Sequence, residues 1–87
     1  MTLYDRWLEC KKRNGKSITF IRINDFYETF DDDAKLTSEI LDLVLVQHKE
    51  MNGMKVPMCG FPFRMPEKYF SILIDKGYGI VVVKEEE

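Results

Sequence analysis

The sequence has few of the residues that mark a disulfide scaffold, a zinc protein or a membrane protein. Its two cysteines, Cys10 and Cys59, lie far apart, and neither has a second cysteine or a histidine at metal-ligand spacing. Neither a disulfide framework nor a zinc site is therefore indicated, and both thiols are expected to be buried. No apolar run approaches the roughly 20 residues that span a bilayer. Charged residues interrupt the stretch that a signal peptide would need, so we expect a cytoplasmic protein with no membrane partner.

The chain also has no excess of positive charge. Its 13 lysines and arginines are outnumbered by 15 aspartates and glutamates, which gives a formal net charge of −2 at pH 7. Proteins that hold nucleic acid by bulk electrostatics usually cluster lysine and arginine. Any contact with DNA is therefore expected to be local and weak.

The usual patterns for nucleotide binding and catalysis are missing. Gly60, Gly77 and Gly79 do not form a phosphate-binding GxxxxGK[ST] motif, and turn or cap roles explain them. The one histidine, His48, lies in a polar stretch with no nucleophile to activate, and we expect it to be exposed. A chain of 87 residues forms a single domain with one modest core and leaves no room for an ATPase or nuclease module. We therefore expect one domain over residues 1–87 that is not an enzyme.

What the sequence does contain is a succession of short helices and strands. It is 45% hydrophobic and 13% aromatic, which is too apolar for a disordered chain. Apolar spacing and turn residues predict helices over 3–13, from 31 to about 42, and from 66 to a stop at 77, with strands over 18–23, 26–30, 43–47, 55–59 and 80–83. Pro57 suggests that its strand lies at the edge of the sheet. The fold class is therefore α/β, a mixed sheet flanked by about three helices.

Particular residues are expected to set the ends of these elements. Thr2 and Asp5 form a capping box for the first helix. Asn24 and the pair Asn52–Gly53 tolerate positive φ and predict tight turns. The run 31–33 supplies a cap and favourable charge for the second helix. The expected core-facing residues of the third helix are Tyr69, Phe70, Leu73 and Ile74.

Five acidic residues lie near the second strand and the helix after it. A Mg²⁺-dependent nuclease would use such carboxylates. Helix capping explains most of them, and no lysine, histidine or other acid–base partner lies at a motif spacing. We therefore expect no metal site and no catalytic residue. A nuclease ranks below the two functions considered next, DNA binding and protein interaction. The five are Asp25, Glu28, Asp31, Asp32 and Asp33.

Phe26 and Glu28 are two residues apart on a predicted strand, so they project from the same face. A core face does not favour a carboxylate and a solvated face does not need a phenyl ring. A site that stacks on a nucleobase and hydrogen-bonds to its edge uses both groups. In the alternative, which the residues alone favour, Phe26 is a core residue and Glu28 bends out to solvent. Tyr27 points the other way and is expected to pack in the core.

Two sequence blocks resemble the MutS family of DNA mismatch repair proteins. Residues 20–35, FIRINDFYETFDDDAK, are similar to the family pattern F-Y-R-x-G-D-F-Y-E-x-F-x-x-D-A. Residues 56–63, VPMCGFPF, followed by Tyr69 and Gly77, resemble the family stretch P-M-A-G-[IV]-P-Y-H and its following helix. The blocks occur in the right order and Trp7–Leu8 fit the Y-L position of the family, so the resemblance covers nearly the whole chain.

The resemblance implies the fold and function of the N-terminal mismatch-recognition domain, domain I. It implies that Phe26 is a wedge that stacks on a mispaired or unpaired base from the minor groove, that Glu28 hydrogen-bonds to that base, and that Asn24 and Asp25 form the adjacent turn. The expected partner is mismatched duplex DNA, bound weakly by the domain alone, together with other repair proteins. No cofactor and no small-molecule substrate are expected, because ATP and Mg²⁺ belong to the ATPase domains of the family.

This chain departs from the family pattern at four places. The glycine before D-F-Y-E is Asn24, the Tyr-His after the second block is Phe63–Arg64, the basic stretch after the second helix is 46–48, and the C-E-Q element is 83–85. Together with the acidic balance, these departures favour an alternative, a protein-interaction module that has kept the fold and lost DNA affinity. An exposed Phe26 ring favours the first function, because a buried ring cannot act as a wedge.

Overall fold

The computed structural model describes residues 1–84, in which a mixed sheet carries helices on both faces. The helices are α1 Leu3–Arg13, α2 Asp31–Leu41 and α3 Pro66–Asp75, and the strands are β1 Ile18–Ile23, β2 Phe26–Phe30, β3 Val46–Met51, β4 Met54–Pro62 and β5 Ile80–Val82. The strand order is β3-β4-β2-β1-β5, in which β1 and β5 are parallel and the other neighbours antiparallel. The predicted α/β class, with a mixed sheet and three helices, is confirmed.

The predicted capping box and tight turns form as expected. Thr2 Oγ1 accepts a hydrogen bond from the Asp5 amide, and the Asp5 carboxylate accepts one from the Thr2 amide, each at 3.1 Å. Asn24 joins β1 to β2 with φ 55°, and Asn52 and Gly53 join β3 to β4 with φ 54° and 76°. In the β3–β4 turn both central residues have positive φ, which suits a two-residue hairpin between right-twisted strands, and in the β1–β2 turn the first central residue has it.

The hydrophobic core lies in two layers, one on each face of the sheet. On the face that we call the α1 face, Tyr4 and Trp7 pack edge-on against Phe30 of β2. The Trp7 indole also donates to the Thr19 carbonyl at 2.7 Å, so its buried N–H is satisfied. On the opposite face, α2 and α3 cover a second cluster whose fully buried members are Ile18, Phe20, Phe61 and Leu73.

Two predictions about the strands are wrong. The third strand is β3, Val46–Met51, rather than 43–47, so residues 43–45 form a connection from α2. Pro57 does not lie at an edge, because β4 is between β3 and β2. The β3–β4 register shifts between Val46 and Lys49, opposite Pro57. An irregularity of this kind accommodates a residue that cannot donate to the ladder.

The acidic run does not cap α2 with its side chains. Phe30 occupies the N-cap position, and no side chain there makes a capping hydrogen bond. The Asp31 carboxylate instead accepts from the Tyr4 hydroxyl at 2.8 Å, and Asp33 accepts from the Thr19 amide at 3.0 Å and pairs with Lys11 at 2.9 Å. These acids therefore join α2 to α1 and β1, although their charge still favours the helix N-terminus.

The core-facing prediction for α3 is wrong for one residue. Ile74 is 56% exposed, whereas Leu73 is fully buried and Tyr69 and Phe70 are partly buried against the same cluster. The ten-residue helix α3 packs against the sheet along one narrow stripe that contains Leu73. Ile74, the next residue, points away from that stripe.

Candidate nucleic-acid interface

Phe26 and Glu28 share the α1 face of β2, as the strand alternation predicted. Phe26 pairs with Ile23 of β1 and Pro62 of β4, at the end of the sheet where the β1–β2 hairpin turns. α1 packs over Phe30 at the other end of β2, whereas the Phe26 ring is 46% exposed. The prediction that this ring is partly exposed is confirmed, and the alternative that Phe26 is a core residue is wrong.

Glu28 is the buried member of the pair. Only 8% of the residue is exposed, so the alternative in which its side chain bends out to solvent is also wrong. Burial raises the pKa of the Glu28 carboxyl, and the nearby positive charge of Lys49 opposes that shift only in part. Oε1 of Glu28 has no hydrogen-bond partner among residues 1–84. The site therefore combines an exposed ring with a buried carboxyl that has unused hydrogen-bonding capacity.

Gly60 makes room for the Glu28 side chain. It lies directly opposite Glu28 in the β2–β4 ladder. A Cβ atom on Gly60 would lie 2.9 Å from the Tyr27 carbonyl oxygen and 3.2 Å from Glu28 Cγ. The turn or cap role expected for Gly60 is therefore wrong, because it lies inside β4. A lone glycine within a β-rich run is the signal that could have found it, since such a residue often marks a close approach.

An open groove of about 400 Å³ lies beside the Phe26 ring. Its floor comes from β2 and β4, and the α2–β3 connection forms a wall whose Val44 side chain is largely exposed. Glu28 supplies the only carboxyl group among the residues that line it. We call this the wedge groove, and its lining residues are Phe26, Glu28, Leu43, Val44, Val46, Met58 and Gly60. The sequence did not indicate it, because 43–47 reads as a strand.

The turn before Phe26 is held by bonds to both of its residues. The Asn24 carbonyl accepts from Arg22 Nε at 3.2 Å, and the Asp25 carbonyl accepts from the Phe63 amide at 3.0 Å. Asn24 itself adopts the left-handed conformation at φ 55°. The departure from the family glycine is therefore compatible with the turn. Asn24 and Asp25 form the turn next to Phe26 as predicted, and both are exposed.

The other candidate groups are not brought together. Tyr27 packs against Phe61 and Phe70 on the opposite face, which confirms its expected core position. His48 is exposed and both cysteines are buried and free, and burial raises the pKa of the Cys59 thiol to about 11.

In residues 1–84, no group of three or more His, Cys, Asp or Glu side chains could hold a metal ion. Within the same range, no helix is long and apolar enough to cross a membrane.

The chain matches known proteins over nearly its whole length. Residues 2–87 match the family described as MutS domain I. The chain is similar to the DNA mismatch repair protein MutS of Desulforamulus reducens (39% identity over 85 residues, 98% of this chain and 10% of that protein). It is also similar to those of Dehalococcoides mccartyi (37% over 83 residues, 95% and 10%) and Cereibacter sphaeroides (39% over 82 residues, 94% and 9%). It therefore spans about a tenth of the length of these curated relatives.

Proposed function

Because this chain belongs to the MutS domain I family, we propose that it is a module that binds mismatched or distorted duplex DNA through Phe26 and Glu28 and catalyses no reaction by itself. The observation that carries the proposal is the reversal of ordinary burial at this pair, in which the phenyl ring is exposed and the carboxyl buried. A single exposed apolar residue is common, so the informative part of the pair is the buried carboxyl beside the exposed ring. A base exposed at a defective pair is a suitable partner, because it offers both a π-face and hydrogen-bonding edges.

Phe26 supplies the part of the recognition that depends on DNA deformability. Inserting its ring from the minor groove unstacks a base step, which costs a few kcal/mol. Stacking of the ring on a base contributes roughly 1–3 kcal/mol and offsets that cost. The cost is lower where pairing is already defective, so mismatches are selected by the ease of deformation more than by base identity.

Glu28 supplies the polar part. Glu28 lines the wedge groove, so a base edge placed there meets its carboxyl, which accepts a hydrogen bond from a base N–H when ionised and donates one to a ring nitrogen when protonated. The raised pKa makes the protonated form more accessible than in an exposed glutamate, and nearby DNA phosphates raise the pKa further. The Glu28 carboxyl can therefore hydrogen-bond to mispaired bases that present either a donor or an acceptor.

The isolated module is expected to bind DNA weakly. Its formal net charge is −2, and phosphate contacts supply most of the non-specific affinity of DNA-binding proteins. We expect a Kd at or beyond the roughly 10⁻⁴ to 10⁻⁶ M that is typical of non-specific binding at physiological salt. The relatives named above are about ten times longer, and we propose that mismatch repair as a process, with its ATP and Mg²⁺ chemistry, depends on protein beyond this domain.

A second function is favoured by the wedge groove. The groove is mostly apolar, and 46–48 stand where the resemblance places basic residues. A protein partner could insert an apolar side chain there and cover Phe26. This chain would then be an interaction module of the same fold, acting with other repair proteins.

Titration of the wild-type chain with two duplexes that differ by one mismatch distinguishes these functions. Fluorescence anisotropy at low and at physiological salt gives both affinities. Tighter binding of the mismatched duplex supports the DNA module. No binding of either duplex at low salt refutes it and supports the interaction module.

A further inference from the structure

The wedge groove has apolar walls around one charged group. The wall side chains are Leu43, Val44, Val46 and Met58. Glu28 is the only charged residue that lines the groove, and it is only 8% exposed. A side chain that fills this groove therefore needs an apolar stem to cover the walls and a polar head to meet the carboxyl.

The electrostatics of the groove favour a positively charged head. The Glu28 carboxyl loses most of its hydration on folding, and its Oε1 has no hydrogen-bond partner among residues 1–84. Lys49 is a nearby positive charge, but burial outweighs its effect and raises the pKa of Glu28. An ordinary buried ion pair must desolvate both of its charges. Here folding has already desolvated the carboxyl, so a cation that enters the groove has only its own hydration to lose.

Exposed acidic residues adjoin the groove in the chain. Asp25 precedes Phe26 in the hairpin turn, and Asp42 precedes Leu43 at the C-cap of α2. The whole chain also carries a formal net charge of −2. A basic protein segment is therefore attracted to this surface more strongly than an acidic one.

The Phe26 ring favours arginine over lysine as the positive group. The ring is 46% exposed, and it lines the same groove as Glu28, two positions along β2. A planar guanidinium stacks on an aromatic face while its N–H groups point to a carboxylate. The ammonium group of lysine is more strongly hydrated and has no flat face.

We propose that the wedge groove binds an arginine side chain of a partner protein, with the stem along Val44 and Met58 and the guanidinium between Phe26 and Glu28. This inference rests on the interaction module described under the proposed function, and it names the side chain that such a module accepts. Its aliphatic stem supplies the apolar contact and its head supplies the charge. Duplex DNA would occupy the same surface, so the two partners exclude each other at Phe26.

Titration of the ¹⁵N-labelled wild-type chain with capped tripeptides tests this site. The peptides carry arginine, lysine or citrulline between two glycines, and citrulline is a neutral isostere of arginine. We expect saturable shifts of the groove amide signals with the arginine peptide, with a Kd on the order of 1 mM. The citrulline peptide should bind roughly tenfold more weakly, because it lacks the charge-assisted pair. The lysine peptide should also bind more weakly than the arginine peptide.

Glu28→Gln removes the charge from the groove and keeps the shape of the side chain. Glu39→Gln is the matched control, since Glu39 is an exposed residue of α2 and does not line the groove. We expect Glu28→Gln to bind the arginine and citrulline peptides alike, and Glu39→Gln to keep the wild-type preference. Equal affinity of the wild-type chain for these two peptides overturns the proposal. The absence of saturable groove shifts up to about 20 mM arginine peptide overturns it too.

Failure of DNA recognition gives a different result. A wild-type chain that has no mismatch preference but prefers the arginine peptide to the citrulline peptide keeps the arginine site and supports the interaction module. A wild-type chain that prefers the mismatched duplex but does not distinguish the two peptides keeps the DNA module and overturns the arginine site.

Discussion

Glu28 occupies the space that Gly60 leaves open by having no side chain. The two residues face each other across the β2–β4 ladder, and a Cβ on Gly60 would lie 3.2 Å from Glu28 Cγ. Burial of the Glu28 carboxyl, and therefore its raised pKa, depends on a glycine in the neighbouring strand. Gly60, in the second sequence block, therefore sets the burial of Glu28, in the first block, because glycine has no side chain.

Replacing Gly60 with alanine is expected to destabilise the fold by about 1–3 kcal/mol, the cost typical of overpacking. The added Cβ would meet the Tyr27 carbonyl oxygen at 2.9 Å, and backbone cannot move aside as a flexible side chain can. Gly15→Ala is the matched control, since its Cβ would meet nothing within 4 Å. Urea unfolding of the three proteins measures the effect, and equal stability of Gly60→Ala and Gly15→Ala would contradict this packing.

Glu28→Gln is expected to stabilise the protein at pH 7 by about 1 kcal/mol, because it removes the cost of burying an ionised group. Since the folded-state pKa of Glu28 is raised, its stabilising contribution is full below the unfolded-state pKa and is lost as the pH rises through the folded-state pKa. The advantage of Glu28→Gln should therefore shrink as the pH falls toward about 4. Urea unfolding over a pH series tests this, with the exposed Glu39→Gln as control. A pH-independent difference would contradict it.

Asp33→Ala is expected to cost about 2–4 kcal/mol of stability. It removes the acceptor of the buried Thr19 amide and the partner of Lys11. Asp32→Ala is the control in the same run, because Asp32 is fully exposed and its ion pair with Lys35 spans 3.9 Å, a geometry worth little. Thermal unfolding of both variants compares them. Similar losses of stability in the two variants would show that residues 31–33 stabilise the protein through their charge at the helix N-terminus rather than through the Asp33 contacts.

Mg²⁺ is expected to leave the amide signals of residues 31–33 almost unmoved in ¹⁵N-correlated NMR spectra. The Asp31 and Asp33 carboxylates are engaged by Tyr4, Thr19 and Lys11, and they do not converge on one point. Hard cations need several oxygen ligands around a single centre. Saturable shifts at micromolar Mg²⁺ would instead revive a nuclease site.

The sequence predicted the three helices and four of the five strands because each of these elements has a local signal. Thr2 and Asp5 begin α1, and Asn24 and Asn52–Gly53 turn the hairpins. The position of β3 was wrong because the apolar run 43–47 supplies a wall of the wedge groove instead of a strand. The edge strand β3 is mostly polar and shows little period-two alternation of apolar residues, so the sequence does not reveal it.

Long-range contacts account for the other errors. Asp31 and Asp33 have the composition of a cap, but their partners come from α1 and β1, which no local pattern reveals. The burial of Glu28 likewise depends on Gly60, 32 positions along the chain. Residues alone placed Phe26 in the core and Glu28 in solvent, and only the resemblance pointed to the opposite roles.

The central claim is tested most directly by the ratio of mismatched to matched duplex affinity, measured at one salt concentration. The proteins compared are the wild type, Phe26→Ala, Glu28→Ala and the control Ile74→Ala. Ile74 is similarly exposed but lies on α3, away from the hairpin. We expect the wild type and Ile74→Ala to prefer the mismatched duplex. Phe26→Ala loses a stacking contribution of about 1–3 kcal/mol per base, so its ratio should fall to near one with an unchanged salt slope. Glu28→Ala removes a negative charge near phosphates, so its non-specific affinity should rise while its ratio falls. A mismatch preference that persists in Phe26→Ala would contradict the wedge.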